Sequence, residues 1–334
     1  DAFEGVGSEG LKWLRRVKQE TRLLVATEVA NERHVYEALK YGIDLLWIGA
    51  RTTVNPFTVQ EICDALKGVD VMVMVKNPVN PDVELWTGAI ERLARAGITR
   101  LGAIHRGFTS YEKIRYRNQP NWQIPIELRR RMPELPLLCD PSHIGGARAY
   151  LHEISQKALD LNYDGLMIET HRDPDNAWSD AAQQLTPDEL HELMSRLILR
   201  NTRTDDKKLL VILGELRQQI DVYDEHLIDL MEKRMKVSET IGRYKKENNI
   251  TILQSSRWEE ILDRVVQNGT SKGLSREVVE AIFKAIHQES INHQMKVMNN
   301  GVVVAPGAVN GSEQKVVTIK KNGTTKKKAV LLKG

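Results

Sequence analysis

Short apolar runs alternate with segments of helical spacing through the first part of the chain. The apolar runs are Leu23 to Val25, Leu45 to Ile48, Val69 to Val75, Leu101 to Ile104, Leu135 to Leu138 and Leu166 to Ile168. The helical segments include Val35 to Tyr41, Val59 to Leu66, Leu85 to Ala96, Glu112 to Arg115 and Tyr150 to Leu161. This alternation predicts βα units and a parallel sheet, and strands that are apolar throughout predict burial on both faces.

Charged or polar residues follow almost every predicted strand at its C-terminal end. They are Thr27 with Glu28, Arg51, Lys76, His105 with Arg106, Asp140 to His143, and Glu169 with His171. A doubly wound sheet concentrates its site at one switch point, whereas a (β/α)8 TIM barrel brings all its strand ends to one mouth. The pattern therefore favours an α/β barrel that is N-terminally incomplete, with six of eight βα units. The other two strands are expected before residue 1.

After about residue 200 the strand pattern stops and an all-α pattern begins. Helical spacing from Lys208 to Lys246 predicts a helix approaching about 60 Å in length. Two shorter helices are predicted, from Arg257 to Gln267 and, after a turn at Gly269 to Ser275, to about Val297. Because these cannot cover the long helix, the three-helix pattern predicts an intertwined homodimer.

These patterns divide the chain into a partial barrel over residues 1–200, a linker over 201–206, a helical domain over 207–298 and a flexible Lys-rich tail over 299–334. The net charge of +3, and the lack of aromatic residues among the tail lysines, argue against nucleic-acid binding. Two cysteines without a CxxC motif predict a reducing compartment. With no signal peptide and no apolar run of bilayer length, we expect a cytoplasmic protein without a membrane partner.

The most specific pattern in the predicted barrel is Cys139-Asp140-Pro141-Ser142-His143, followed by Glu169 after the next strand and then by Asp180. A histidine with two carboxylates suits a divalent cation of borderline hardness, such as manganese, iron or zinc. A lone histidine in such a loop is more often a surface side chain. Three candidate ligands at the ends of the last two strands favour the metal site.

Three cations also follow strands, namely Arg51, Lys76 and Arg106. Singly, each is more often a surface charge. Aimed into one mouth, they need an anionic ligand to offset their mutual repulsion. A small molecule that carries a phosphate and a carboxylate fits this requirement.

The motifs GARTT, VKNP, HRGF, CDPSHIGG and IETHRDPDNAWSD, in this order and spacing, resemble 3-deoxy-7-phosphoheptulonate (DAHP) synthase over residues 1 to about 200. The resemblance implies condensation of phosphoenolpyruvate with erythrose 4-phosphate. The implied phosphoenolpyruvate-binding residues are Arg51, Lys76 and Arg106. The implied ligands of a divalent metal (Mn, Fe, Zn or Co) are His143, Glu169 and Asp180. Asp140 and Ser142 are implied to lie near the aldose phosphate.

Two motifs of that family do not occur in the 334 residues: a Gly-Pro-Cys-Ser strand that carries a metal ligand, and a strand that ends in Lys-Pro-Arg. We expect Cys139 to pack in the barrel wall rather than to replace the missing ligand. The chain as given is therefore expected to catalyse the condensation poorly.

In the helical part, Arg217, Arg234 and Lys245 lie 17 and 11 positions apart, close to five and three turns, and this spacing predicts one shared face. A charged row is usually a solvated face, but Arg234 and Lys245 interrupt an apolar stripe. Ser290 and Gln294, four positions apart, share a face of the last helix.

These residues, together with Arg257 and the segment Leu216-Arg217-Gln218-Gln219-Ile220-Asp221, resemble helical chorismate mutase throughout residues 205 to 298. The resemblance implies a homodimer without a cofactor for the mutase. Arg234, and Arg217 from the other subunit, are implied to grip the carboxylates of chorismate. Lys245 and Gln294 are implied to reach its ether oxygen, and Arg257 with Ser290 to complete the pocket. Where many relatives have acidic residues near the substrate hydroxyl, this chain has Gln254 and Trp258.

Two functional interpretations follow from these resemblances. The first is a bifunctional enzyme of the shikimate pathway that binds phosphoenolpyruvate, erythrose 4-phosphate and chorismate. The second treats the helical domain as a non-catalytic module that senses chorismate or prephenate for the synthase. Substitution of Lys245 distinguishes them, because catalysis needs the contact with the ether oxygen and carboxylate binding alone does not.

Overall fold

An α/β unit and a helical unit make up the chain, and they divide between Thr204 and Asp205. The computed structural model describes residues 5–111, 115–201, 203–253, 255–299, 320–321 and 324–325. No helix in these ranges is both long enough and apolar enough to span a bilayer.

The α/β unit contains one six-stranded sheet in which every pairing is parallel and the strands lie in chain order. The strands are β1 (Ala26–Val29), β2 (Leu45–Ile48), β3 (Met72–Lys76), β4 (Leu101–His105), β5 (Leu137–Cys139) and β6 (Gly165–Leu166). This order confirms the prediction of an incomplete (β/α)8 barrel. Among the described strands, β1 and β6 each pair with one neighbour.

Helices follow most of the strands, and several of them begin with side-chain caps. They are α1 (Ser8–Thr21), α2 (Glu32–Lys40), α3 (Ala50–Thr53), α4 (Pro56–Ala65), α5 (Val83–Arg95), α6 (Gln123–Arg131), α7 (Pro141–Gly145), α8 (Leu151–Asp160) and α9 (Pro187–Arg196). Asn31, Asn55, Asp82 and Asp140 each accept a hydrogen bond from a backbone N–H of the first turn of the helix that they precede. These caps set where each chain segment turns away from the strand ends.

The sheet is covered on its outer face by these helices, and apolar side chains fill the space between. The largest fully buried side chains of this core include Trp86, Leu46, Ile48, Ile62, Leu66 and Leu93. Trp86 also donates from its indole nitrogen to the carbonyl of Val75 at 3.0 Å, which satisfies a buried polar group. The two cysteines, Cys63 and Cys139, are buried and free, as expected for Cys139.

The first strand differs from the sequence prediction. The first strand begins at Ala26 rather than Leu23, and Leu23 and Leu24 are exposed, so Thr27 and Glu28 lie within the strand instead of after it. The predicted helix from Glu112 to Arg115 falls mostly on residues outside the described ranges. Apolar character alone does not determine where a strand begins and ends. The first strand extends over the residues that pair with β2.

The helical unit contains the long helix α10 (Lys207–Glu247) and the shorter helices α11 (Ser255–Ser271) and α12 (Arg276–Met298). The predicted bounds of α10 and α12 agree within about one residue, but α11 continues past Gln267 to Ser271. Asp206 caps α10 and Ser275 caps α12. Two short strands, β7 (Lys320–Lys321) and β8 (Thr324–Thr325), pair antiparallel, and the rest of the predicted tail lies outside the described residues.

The second half of α10 packs closely against α12. A Cβ added at Gly242 would lie 3.1 Å from the Cα of Gln294, so the absent side chain permits this approach. The first half of α10 is different, since its apolar side chains are exposed. They include Leu209, Leu210, Ile212, Leu216, Ile220 and Val222.

Candidate active sites

The strand ends of the α/β unit surround a cavity of about 610 Å³. Its lining includes Glu28, Arg51, Lys76, Arg106, Arg117, His143 and Asp180. All six described strands contribute through the residues at their C-terminal ends or the loops that follow them, as a barrel mouth requires. The structure thus brings the predicted anion-binding and metal-binding residues to one place.

His143, Glu169 and Asp180 each offer one ligand atom, and these atoms all lie within 4.8 Å of one another. All three side chains are half-buried. Asp180 has a φ of 49°, a left-handed backbone conformation that turns its side chain back toward the mouth. Burial raises the pKa of Glu169, so its ionised form needs positive charge nearby. A histidine with two carboxylates in such an arrangement fits a divalent cation.

A buried ion pair lies beside these ligands. Lys76 Nζ is 2.9 Å from Asp140 Oδ2, and both side chains are almost fully buried. The same oxygen lies 2.9 Å from Nδ1 of His143. Burial alone would raise the pKa of Asp140, but the charges and hydrogen bonds of Lys76 and His143 hold it well below its usual range. Asp140 therefore orients both Lys76, which is predicted to bind phosphoenolpyruvate, and His143, which is predicted to bind the metal.

Two other cations face the cavity without a carboxylate partner. Within the described ranges, neither Arg51 nor Arg106 forms an ion pair. Arg106 donates to Asn118 Oδ1 at 2.9 Å, and burial lowers the pKa of its guanidinium. Two cations that are held by neutral groups or by solvent leave positive charge available to an anionic ligand.

Sequence reasoning did not identify Arg117 and Gln183. Arg117 donates to Asp180 Oδ1 at 2.7 Å and to Gln183 Oε1 at 2.8 Å, and Gln183 in turn donates to Glu169 at 2.9 Å. Both residues lie in loops away from strand ends, so the strand-end pattern could not mark them. Ser142, predicted near the aldose phosphate, is buried and accepts a hydrogen bond from the backbone N–H of Glu169 at 3.1 Å.

In the helical unit, polar groups of α10 face polar groups of α12. Arg234 donates a short hydrogen bond to the hydroxyl of Ser290, and Ser290 also donates to the carbonyl of Ile286 at 2.8 Å. Lys245 donates to the carbonyl of Ile252 at 2.6 Å. Burial lowers the pKa of both Arg234 and Lys245, which shows that their charges are partly removed from water.

Gln294 is buried one turn beyond Ser290, and its Oε1 has no hydrogen-bond partner in the described part of the chain. His287, one turn before Ser290, has a buried Nε2 that is likewise unpartnered among the described residues. Its ring stacks on Trp258 of α11, with centroids 4.0 Å apart and planes at 16°. Sequence reasoning named Trp258 and did not identify His287.

Two predicted mutase residues lie apart from this group. Arg257 is exposed and pairs with Glu260 at 2.9 Å. Arg217 is exposed on the first half of α10, and 17 positions correspond to about 4.7 turns, so it is rotated by roughly 100° from Arg234. The shared face predicted for three cations therefore holds for Arg234 and Lys245. Gln254 lies outside the described residues.

Comparisons with known proteins match the two units to different families. The family model of the DAHP synthetase I family matches residues 1–205, and the model of chorismate mutase type II matches residues 216–295. A phospho-2-dehydro-3-deoxyheptonate aldolase of Thermotoga maritima is 28% identical over 196 residues, which are 59% of this chain and 56% of that relative. A 2-dehydro-3-deoxyphosphooctonate aldolase of Desulfotalea psychrophila is 26% identical over 214 residues, which are 59% of this chain and 71% of that relative.

Solved structures agree with this match. The crystal structure of the DAHP synthase of Thermotoga maritima superimposes with a TM-score of 0.54 and 28% identity, and the match covers 64% of this chain and 59% of that one. A truncated form of the same synthase gives a TM-score of 0.52. The chain thus spans little more than half the length of the Thermotoga relative. On these matches, the chain belongs to the DAHP synthetase I family and carries, behind that part, a domain of the chorismate mutase type II family.

Proposed function

We propose that the chain is a bifunctional enzyme of the shikimate pathway. Its helical unit converts chorismate to prephenate, and its α/β unit provides the phosphoenolpyruvate and metal sites for condensation with erythrose 4-phosphate. The observation that carries the proposal is the group between α10 and α12, where the partly buried cations Arg234 and Lys245 accompany the buried side chain of Gln294, whose amide nitrogen can donate to an acceptor. Such groups suit a dianionic substrate that also carries an ether oxygen.

The mutase reaction needs no nucleophile, acid or base, because it is a pericyclic rearrangement. Catalysis then depends on positioning the substrate and on stabilising the charge that separates across the breaking ether bond. Arg234, oriented by Ser290, binds one carboxylate. Lys245 and the amide of Gln294 act at the ether oxygen. Partial burial strengthens each of these contacts relative to water.

A second copy of the chain supplies Arg217 in this proposal. The 17-residue spacing places Arg217 about 25 Å along α10 from Arg234, which is too far to share one small substrate. The apolar residues around Arg217 are exposed, including Leu216 at 50% and Ile220 at 57%. An apolar helix face of this length is stabilised when another helix covers it, so a homodimer explains both features.

Substitution of Lys245 tests the mutase proposal against the sensing module. We expect Lys245→Ala to lower kcat/KM for chorismate by about a hundredfold or more, since loss of one donor in a preorganised site costs about that much. Lys246→Ala, at the exposed neighbouring position, is the matched control and should keep full activity. A wild-type chain that binds chorismate without forming prephenate would favour the sensing module.

Subunit mixing tests the shared site. Arg217→Ala and Lys245→Ala homodimers should each be nearly inactive, and exchange of their subunits should restore part of the activity, because one site of the mixed dimer then retains both residues. Exchange is followed with differently tagged chains. Confirmed exchange without recovery would show that each site is built from one chain.

The α/β unit fits the other half of the proposal. Arg51 and Arg106 bind the phosphate and carboxylate of phosphoenolpyruvate, and Lys76 is oriented for the same ligand by Asp140. His143, Glu169 and Asp180 would hold a divalent cation, which would supply Lewis-acid polarisation of the aldehyde when bound. The similar proteins include both heptonate and octonate aldolases. A mutase domain on the same chain favours the seven-carbon product, which requires a four-carbon aldose phosphate.

Cation binding and product formation test this half separately. Titration with Mn²⁺, followed by electron paramagnetic resonance, should show a bound ion that His143→Ala weakens at least tenfold and that the exposed-site control His191→Ala leaves unchanged. Because β1 and β6 are unpaired on one side within the described strands, we expect the 334-residue chain to form DAHP slowly. A version extended by two strands before β1 should form it faster, and equal rates would contradict this expectation.

A further inference from the structure

The group between α10 and α12 contains a buried nitrogen for which the proposed function gives no role. Nε2 of His287 is buried and has no hydrogen-bond partner in the described part of the chain. Interiors hold few such atoms outside functional sites, because an unmade hydrogen bond in a dry environment is costly. His287 lies on α12 one turn before Ser290, so it belongs to the row that faces Arg234. The unpartnered atom therefore points to a ligand group.

The imidazole of His287 is held in a fixed orientation. Its ring lies nearly parallel to the indole of Trp258, with centroids 4.0 Å apart and planes at 16°. Burial, with the nearby charges of Arg234 and Lys245, lowers the pKa of His287. The ring is thus neutral near pH 7 and offers one nitrogen that either donates or accepts, depending on the tautomer.

A neutral nitrogen beside two cations selects a neutral partner. The carboxylates of a dianionic substrate have Arg234 and the incoming Arg217 as partners, and the ether oxygen has Lys245 and Gln294. The ring hydroxyl is the remaining polar group of chorismate, and a hydroxyl can both donate and accept, so it matches either tautomer. Trp258 is stacked on one face of the imidazole and carries no carboxylate that would compete for the hydroxyl.

We propose that His287 is a specificity-determining residue of the mutase site, whose Nε2 forms a hydrogen bond with the ring hydroxyl of chorismate while Trp258 holds the imidazole in place. This proposal rests on the proposed mutase function. It assigns the hydroxyl contact to α12 and to an uncharged side chain. Removal of either the hydroxyl or the imidazole nitrogen should therefore have the same effect, and removal of both should have no further effect.

The test compares two substrates across three proteins. The substrates are chorismate and its analogue with hydrogen in place of the ring hydroxyl, and the proteins are the wild type, His287→Leu and His293→Leu. His293 is the matched control, because it lies on the same helix and its ring nitrogens face Glu239 at 2.7 Å and Glu289 at 3.1 Å. We expect the wild type and the control to prefer chorismate about tenfold in kcat/KM, and His287→Leu to treat both substrates alike.

The preference ratio separates the possible failures. A wild-type protein with no turnover of either substrate would overturn the proposed mutase function. A wild-type protein that is active but does not prefer chorismate, or a His287→Leu protein that prefers it as strongly as the wild type, would overturn the role of His287. His287→Gln provides a second variant if leucine impairs folding, because its amide can still pair with a hydroxyl. We expect it to keep a clear preference, and its complete loss in folded protein would count against a hydrogen bond.

Discussion

The α/β unit and the helical unit bury their apolar residues in opposite ways. In the α/β unit, strand residues such as Val29, Ile48 and Val75 have no exposed surface, and the helices of the same unit cover them. In the helical unit, the first half of α10 exposes residues such as Leu216 and Ile220, the latter at 57%. The contrast is that the described strands of one unit are buried by helices of the same unit, whereas the other unit leaves much of its longest helix exposed.

The two sites also differ in how far their polar groups are paired within the chain. The mouth of the α/β unit is cross-linked by its own charges, since Lys76 pairs with Asp140 and Arg117 pairs with Asp180. In the helical site, Gln294 and His287 keep atoms that nothing in the described chain satisfies. The first site is thus organised by contacts within the chain, whereas the second keeps polar atoms that the described chain leaves without a partner.

Breaking the ion pair at the mouth should have the largest effect on stability. We expect Lys76→Met to lower the free energy of unfolding of the α/β unit by about 3 to 5 kcal/mol, because the buried carboxylate of Asp140 loses the permanent positive charge that compensates it. Urea denaturation followed by tryptophan fluorescence measures the loss. Lys67→Met is the control, since its pair with Asp64 is exposed and contributes little. Equal losses in both variants would show that burial of the pair is unimportant.

The second largest effect on stability is expected from acidification, which should destabilise the α/β unit. His105 is fully buried between the carbonyl of Pro120 at 2.7 Å and the hydroxyl of Tyr163 at 2.9 Å, and burial lowers its pKa to about 4. The unfolded chain takes up this proton near pH 6.5 and the folded chain only near pH 4, so stability is lost as the pH falls between these values. We expect about 2 kcal/mol less stability at pH 5 than at pH 7 from this residue.

The measurement is the free energy of unfolding of the α/β unit at both pH values, for the wild type and for His105→Gln. The variant lacks the titrating ring, so its stability should change less between pH 7 and pH 5, whatever its absolute stability. If the stability of His105→Gln fell between pH 7 and pH 5 by as much as that of the wild type, His105 would not control the acid response.

The same glycine-to-alanine change should have opposite effects in the two units. At Gly242 the added methyl meets the backbone of Gln294 at 3.1 Å, so Gly242→Ala should force α10 and α12 apart and cost about 1 kcal/mol. At Gly88 in α5 nothing lies within 4 Å, and alanine is the better helix former by up to about 1 kcal/mol. Thermal unfolding of both variants checks the signs, and mutase KM should rise only for Gly242→Ala. A stabilised Gly242→Ala protein would refute close packing at this point.

Regular patterns in the sequence predicted most of the fold. The run Leu45 to Ile48 is strand β2, as predicted, and the predicted ends of α10 lie within one residue of the observed ends. Both predictions follow from side-chain periodicity. The grouping of His143 with Glu169 and Asp180 could be predicted because parallel strands end at one edge. Arg117 and Gln183 could not, as they reach the site from loops whose path depends on tertiary contacts. His287 has no motif either, and its role depends on the orientation of one ring nitrogen against Trp258.

The exposed face of α10 has a consequence for how the two proposed activities scale with protein abundance. In the proposed homodimer the helical core obeys mass action, so each tenfold dilution removes about 1.4 kcal/mol from the assembled helical unit. The α/β unit buries its own core and does not change with dilution in this way. Prephenate formation should therefore fall more steeply than in proportion as the protein becomes scarce, and a single polypeptide could shift the ratio of its two products through its concentration alone.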